Sequence, residues 1–417
     1  MPYQAPRGTH DVLPKESHLW RHLEATFCRV AELYGYQEIR TPVFEDYDLF
    51  VRTSGDTSEV VTKQMYEFTD KGDRHVALKP EGTAPAIRSY LEHSLGQTGS
   101  TTRLWYFTQI FRYERPQKGR YRQAHQFGVE LIGSSSPLAD VEVIDLTSRF
   151  YAALGISTQV LVNCIGRDET RARYREVILE HVKPWLDQQD GEGQARALKN
   201  PLRLLDTKDP ELLKVIADVP PVTDSLEDAS RAHFDAVREE LDRLGIAYRL
   251  APEVVRGLDY YTDTVFEIHS SALGAQGALC GGGRYDNLIK DIGGPATPSV
   301  GVGIGVERAL IALEQTDFQL AEPRVRVYLV AATDSAKPKV RELAQSLRAK
   351  GVSCQFDLDE RSMKSQLKAA DRSGAECAVM IGDDELAKGT VTVRTLATSQ
   401  QEEIPVDAWM ARFDSAR

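Results

Sequence analysis

Residues 103–133, RLWYFTQIFRYERPQKGRYRQAHQFGVELIG, hold the side chains whose types and spacing could do chemistry. The outgoing segment ends with Arg112 and Glu114, and the return segment carries Gln126 and Glu130. Between them the turn Pro116-Gln117-Lys118-Gly119 is surrounded by Arg115, Lys118, Arg120 and Arg122. Guanidinium groups stay charged and grip phosphate oxygens bidentately, so this many around one short loop suit a polyphosphate. On the return segment Gln126, Gly128 and Glu130 alternate with Phe127, Val129 and Leu131. An amide and a carboxylate therefore share one face of an otherwise apolar strand. Buried polar groups are costly without partners, and a small polar substrate could supply them. A solvated basic hairpin with a structural Glu–Arg pair is the plainer alternative. The coincidence of strand polarity with loop charge favours a site.

The elements that must hold these groups follow from pattern. Trp105, Tyr106, Phe107, Ile110 and Phe111 suit a pleated strand, so the segment is a β-hairpin with Arg112, Glu114, Gln126 and Glu130 on its strands. HVALKPEGT reads as a strand entering a turn, with Glu81 and Thr83 before a helix from about Ala84. Helix capping alone would account for both residues. Leu19, Leu23, Phe27, Val30 and Leu33 recur at helical steps over 16–34. Residues 52–70 read as a polar, mobile loop before the strand MYEFTD. Residues 166–250 are strongly helical and charged. Tyr260 and Tyr261 precede a strand, where such a pair more often packs a core. SVGVGIGVERALIAL lacks the third glycine of a dinucleotide fingerprint. It reads as a buried strand running into a helix at Val306, with Arg308 in its first turn. A cation there is unfavourable by dipole alone, and a phosphate would compensate.

Four stretches carry a family resemblance. FRYERPQKGRYRQAHQFGVE resembles motif 2 of the class II aminoacyl-tRNA synthetases in its histidyl form. RGLDYYTDTVFE and LCGGGRYDNL resemble that family's two histidine-specific signatures, and SVGVGIGVERALIAL resembles motif 3. A looser likeness to motif 1, the family's dimer interface, lies in GYQEIRTPVFEDYDLF. Lys79 stands where the family usually has Arg, and Val302 where it usually has an aromatic residue.

The resemblance implies a histidine–tRNA ligase that forms histidyl-adenylate from histidine and ATP, then charges tRNA(His). Arg112 and Arg256 would act at the α-phosphate, with Arg256 also counted among the histidine contacts. Glu114, Arg120 and Arg308 would join Arg112 around ATP, with Mg²⁺ on the polyphosphate and no dedicated protein ligands assigned to it. Glu81, Thr83 and Gln126 would hold the α-amino group. Glu130 and Tyr261 would read the imidazole, with Tyr260 lining the pocket. The competing class is a non-catalytic synthetase-like regulatory subunit of ATP phosphoribosyltransferase. Such paralogues typically lose the signatures and the C-terminal domain that are present here.

Composition bounds these readings. A length of 417 residues suggests two or three domains. A net charge of −11 speaks against promiscuous nucleic-acid binding. From Arg324 onward basic and acidic residues nearly balance, which permits RNA binding there. Five scattered cysteines without a CxxC pair argue against a zinc ribbon or disulfide framework. No apolar run reaches membrane-spanning length and no signal core is visible, so a cytoplasmic protein with no membrane partner is expected; the homodimer is what the family resemblance implies. The expected fold class is α/β. An α+β catalytic domain over 1–322 has an antiparallel sheet flanked by helices and a helical insertion at about 166–250. Residues 324–417 alternate as a compact α/β domain that resembles the anticodon-binding domain of such synthetases, and there Lys364, Lys368 and Arg372 share a helical face that could meet phosphates.

Overall fold

The first helix forms because Pro14 opens it, Glu16 favours its first turn and Leu23, Phe27 and Val30 make a buried stripe. This computed structural model describes residues 3–55, 58, 60–99, 101–199, 201–207, 209–255, 260–359 and 361–414. Contacts divide the chain into two units, Met1–Gln319 and Leu320–Arg417.

In the first unit the elements run α1 (Pro14–Leu33), β1 (Gln37–Glu38), β2 (Phe44–Asp46), α2 (Tyr47–Ser54), β3 (Tyr66–Thr69), β4 (His75–Leu78), α3 (Thr83–Glu92), β5 (Thr102–Phe111) and β6 (Gln123–Ile132). They continue with α4 (Pro137–Ala153), β7 (Gln159–Cys164), α5 (Asp168–Leu186), α6 (Gly191–Lys199), α7 (Pro210–Ile216), α8 (Asp228–Arg243) and β8 (Tyr248–Leu250). The last are β9 (Thr262–His269), β10 (Ala278–Arg284), α9 (Leu288–Asp291), β11 (Ser299–Gly305) and α10 (Val306–Leu313).

Eight strands form one sheet in the order β1-β5-β6-β11-β10-β9-β7-β8. Its six central strands are antiparallel, and the edge pairs β1–β5 and β7–β8 are parallel. One face packs on α1, α4, α8 and α10, where Phe27 stacks on Phe127 with centroids 4.5 Å apart and meets Phe150 edge-on at 5.2 Å. Alternation then turns Gln126, Gly128 and Glu130 to the opposite face, beside α3. Strands β2, β4 and β3 make a small separate antiparallel sheet.

Several expectations meet a different structure. Leu33 is exposed, because successive three-residue steps drift about 60° each from the helical period and carry it off the Phe27–Val30 stripe. In the stretch expected to be a loop lie the end of α2 and a single π-turn at Val60–Gln64, while the expected strand MYEFTD is present as β3. The polar look of this stretch comes from Thr53 and Ser54, which α2 buries, Thr53 donating to the Leu49 carbonyl. In the helical run, Tyr174, Ile178, Val182, Leu212 and Val222 form a small core of their own. Phe234, Val237 and Leu241 of α8 join the main core instead, and β8 extends the main sheet.

The second unit contains β12 (Val327–Ala331), α11 (Lys337–Ala349), β13 (Cys354–Phe356), α12 (Met363–Ser373), β14 (Cys377–Ile381), α13 (Asp383–Lys388), β15 (Thr390–Thr395), β16 (Gln401–Pro405) and α14 (Val406–Ala411). Its sheet runs β13-β12-β14-β15-β16, parallel over the first three strands and antiparallel over the last two. Helices α11 and α14 bury one face and α12 the other. Lys364, Lys368 and Arg372 are exposed on α12. Among the described residues no helix is long and apolar enough to cross a membrane.

Candidate active site

A run of glycines clears the floor of the site. Strand β11 pairs with β6 so that Gly301 faces Glu130, Gly303 faces Gly128 and Gly305 faces Gln126. A methyl group on Gly301 would overlap the Glu130 carboxylate, and one on Gly303 would overlap the Gln126 amide. On the other side β5 sets Tyr106 opposite Gly128. Its phenol lies across Gly128 and Gly82, where any Cβ would strike the ring. The two-residue glycine spacing thus leaves room for the polar side chains of β6 to lie flat over the sheet.

Around this floor the structure assembles an amino-acid-sized set of polar groups. Glu81 is buried and accepts hydrogen bonds from the Thr83 and Ala84 amides at 2.6 and 2.8 Å, at the N-terminus of α3. Burial raises its carboxyl, and these amides and Arg112 oppose the rise. The Gln126 Oε1 accepts from the Gly82 amide at 3.0 Å, which leaves its Nε2 over Gly303. Glu130 is fully buried and sits beneath the residues that line the cleft. The Tyr106 hydroxyl donates to its Oε1 at 2.9 Å and the Tyr285 hydroxyl donates to its Oε2. Burial pushes the Glu130 carboxyl up to about 8, against the lowering pull of Tyr285, Thr83 and Tyr106. Tyr260 completes the wall, its ring 4.7 Å from that of Tyr261 and 5.7 Å from that of Tyr285.

The other end of the cleft is basic. Arg112 lies one residue beyond β5, and Glu114 lies in the loop; both sit off the strands on which the hairpin reading placed them. The chain turns away at Phe111, whose amide bonds to the Lys79 carbonyl. Arg112 donates through Nε to the Pro80 carbonyl at 2.8 Å. Glu114 lies between Arg112 and Arg120, at 3.9 and 3.7 Å. Arg308 projects from the first turn of α10 beside Gly119 and Gly305. Burial and the Arg120 charge pull its guanidinium below the usual range, so a negative ligand would relieve both. Of the remaining loop cations, Arg122 covers the Tyr113 ring at 3.8 Å, and Arg115 and Lys118 are exposed outside the cleft. The cleft has a volume of about 1490 Å³, and its lining includes Glu81, Thr83, Gln126, Tyr260, Arg112 and Arg308. Arg256 lies outside the described residues. Among the described residues no cluster of three His, Cys, Asp or Glu could hold a metal ion.

Several site-supporting residues gave little signal in the sequence. Glu307, adjacent to Arg308, accepts from the His125 amide at 3.0 Å and bonds its Nδ1 at 2.8 Å, locking α10 to β6. Arg284 turns into the core and pairs with Asp140, whose carboxyl is held low by His233 and Arg284 despite burial. Asp263 has φ +45°, and its backbone exchanges bonds with Ile165 and Gly166. Its carboxylate meets Ser230 and Arg167, the latter at 2.8 Å, while Arg171 of α5 donates to the Tyr261 carbonyl at 3.0 Å. These contacts seat the root of α5 on the segment that carries the paired tyrosines. No periodicity marks them, because Ser230 lies 33 positions from Asp263, and Arg167 and Arg171 lie 96 and 90 positions from their partners.

Comparison with known proteins agrees with this geometry. The family model for histidyl-tRNA synthetase matches residues 8–309, and that for an anticodon binding domain matches 325–415. A histidine–tRNA ligase from Synechocystis is 46% identical over 411 residues, covering 98% of this chain and 92% of that protein. One from Halothermothrix orenii is 45% identical and covers 97% of each chain. The crystal structure of the apo histidyl-tRNA synthetase of S. aureus superposes with a TM-score of 0.84 at 36% identity, covering 99% of this chain and all of that one. The chain belongs to the histidyl-tRNA synthetase family.

Proposed function

We propose that this protein is a histidine–tRNA ligase: it joins histidine to ATP as histidyl-adenylate, releases pyrophosphate, and transfers the histidyl group to the 3′ end of tRNA(His). The observation that carries this reading is the single cleft in which Glu81, Thr83 and Gln126 stand at one end and Arg112, Arg120 and Arg308 at the other. A carboxylate attacking the α-phosphorus needs no general base. It needs two anions brought into line and the developing charge neutralised.

Glu81 with Thr83 and Gln126 holds the α-amino group, and Glu130 and Tyr261 read the imidazole beside Tyr260. Arg112 spans the substrate carboxylate and the α-phosphate. The family resemblance assigns Arg256 to the opposite side of that phosphate. Arg120 and Arg308 hold the outer phosphates, and Glu114 keeps the two loop guanidiniums apart from each other. Mg²⁺ enters with the triphosphate, which supplies its ligands, and would add positive charge at the leaving group.

The unit over 1–322 acts as the catalytic part, with its helical insertion at about 166–250 beside the incoming tRNA end. The part over 324–417 binds the anticodon. A homodimer forms through the motif 1 region, where Phe44 is exposed on one edge strand of the small sheet and Phe68, on the opposite edge strand, has its ring 6.4 Å away. The cytoplasm, where tRNA is charged, is the compartment this reading implies.

Histidine-dependent ATP–pyrophosphate exchange tests the proposal. Exchange with histidine and with no other amino acid is expected. Its absence in folded protein supplied with Mg²⁺ would overturn the ligase reading.

A further inference from the structure

Tyr106 and Tyr285 meet one carboxylate from two directions. Tyr106 comes from β5 and Tyr285 follows β10, and each donates to a different oxygen of Glu130. Both phenols are buried, at 3% and 1% exposure. Their rings are placed by contacts that any added side chain would break. Tyr106 fills the space left by Gly82 and Gly128, and Tyr285 packs edge-on against Tyr260. Carboxylate oxygens each have two acceptor positions, so beside Tyr106, Tyr285 and the Thr83 hydroxyl one position remains for a ligand while the phenols fix the plane of the group.

We propose that Tyr106 and Tyr285 are positioning residues that hold Glu130 as an oriented carboxylate and thereby set the pH range over which the site takes the imidazole of histidine. The proposal rests on the assignment of Glu130 as an imidazole reader. The titratable groups facing Glu130 are Glu81 from the turn before α3, Tyr106 from β5, Tyr260 before β9 and Tyr285 after β10; β11 presents only Gly301. Both Glu81 and burial disfavour a second negative charge, and among the described residues the groups that most lower Glu130 are the hydroxyls of Tyr285, Thr83 and Tyr106. The hydroxyl donors are therefore what favours its ionised form. Burial keeps both phenols protonated far above their ordinary range, so they remain donors wherever the enzyme works.

Removing one hydroxyl makes ionisation of Glu130 harder without changing the volume of the pocket. The direct test is titration of histidine into the full-length protein across a range of pH, by calorimetry without ATP. The wild type is compared with Tyr106→Phe, Tyr285→Phe and Glu130→Gln. Each Phe variant is expected to weaken histidine binding about fivefold to tenfold near neutral pH, as a lost hydrogen bond to a charged group would. The low-pH limb of the binding curve should move to higher pH, and affinity should recover as pH rises. A purely structural role would lower affinity equally at every pH. If Glu130→Gln weakens binding while both Phe variants keep the wild-type pH dependence, the positioning role is overturned and the reading of Glu130 stands. If Glu130→Gln binds histidine as tightly as wild type, that reading falls and the proposal falls with it. Should one Phe variant fail to fold, the other carries the test, because the two hydroxyls reach Glu130 from separate strands.

Discussion

Arg112 and Pro80 are joined by a 2.8 Å hydrogen bond from the guanidinium Nε to the backbone carbonyl. The residue that opens the basic loop is thereby fixed against the turn that carries Glu81. The proposed phosphate grip and the proposed amino-group grip are thus joined directly. Lysine at this position keeps a charge but loses the planar fork, so it cannot hold the carbonyl and a phosphate together. Arg112→Lys should lower single-turnover adenylate formation by about a hundredfold or more. Histidine affinity without ATP should change far less. An equal loss in both measurements would show that Arg112 shapes the pocket and does not act on the phosphate.

The glycines of β11 should separate binding from folding. A methyl group at Gly303 meets only the end of the Gln126 side chain, which can swing away from the Gly82 amide. Gly303→Ala should therefore raise the histidine KM with a small change in Tm. At Gly301 the methyl also meets the Val129 carbonyl at 2.6 Å, and backbone within a sheet cannot step aside. Gly301→Ala should cost about 2 kcal/mol or more, read from chemical denaturation.

Glu130 should make the ligand-free protein less stable in alkali. Its folded carboxyl titrates near 8 against an ordinary value of 4.5, so the folded state holds a proton that the unfolded chain has lost. The stability tied to that proton is complete below the ordinary value and disappears as pH rises through about 8. Between these limits the wild type should lose more Tm than Glu130→Gln, which has no proton to give up. Parallel Tm curves for the two proteins would contradict this.

Arg284 and Asp140 are both fully buried and paired. Removing one partner leaves the other buried charge only its longer contact to a titratable side chain, His233 at 3.3 Å from Asp140 or Asp286 at 3.2 Å from Arg284. Arg284→Met should cost about 3–5 kcal/mol, whereas Arg284→Met combined with Asp140→Leu should recover part of the loss. A denaturant series on the three proteins measures this. Additive losses would mean the pair is not coupled.

The exposed stripe Lys364, Lys368 and Arg372 on α12 offers a salt-dependent test of the C-terminal unit. Each phosphate contact releases condensed counterions, so replacing all three with Ala should weaken tRNA binding and flatten its dependence on salt. Binding curves that superpose on the wild type at every ionic strength would mark the stripe as a solvated face.

Legibility in the sequence followed the range of the interaction that decides each feature. The hairpin, its polar alternation and the first turn of α10 are local patterns, and the structure contains each of them within a residue or two. The arginine of the glycine-rich signature, Arg284, could be quoted from the sequence, but its inward path depends on α4, more than a hundred residues earlier. Glu307 sits in the first turn of α10, where an acidic residue suits the helix dipole, and only the fold brings His125 to it. The loop arginines look equivalent in sequence. The bonds of Arg112 to Pro80 and the seat of Arg122 on Tyr113 are tertiary facts. The end of the helical run was obscure for a similar reason. The apolar stripe of α8 shows that it buries a face, and says nothing about which core receives it.

The seating of α5 on the tyrosine segment bears on where this protein can be cut and rejoined. Arg167 and Arg171 belong in sequence to the helical run, yet they brace Asp263 and the Tyr261 carbonyl. A chimera that imports a relative's insertion should keep residues 166–171 and 227–230 from the recipient and exchange only what lies between. A graft made at the visible start of the helical run would import foreign braces for the pocket. It could then be mistaken for a change in tRNA recognition.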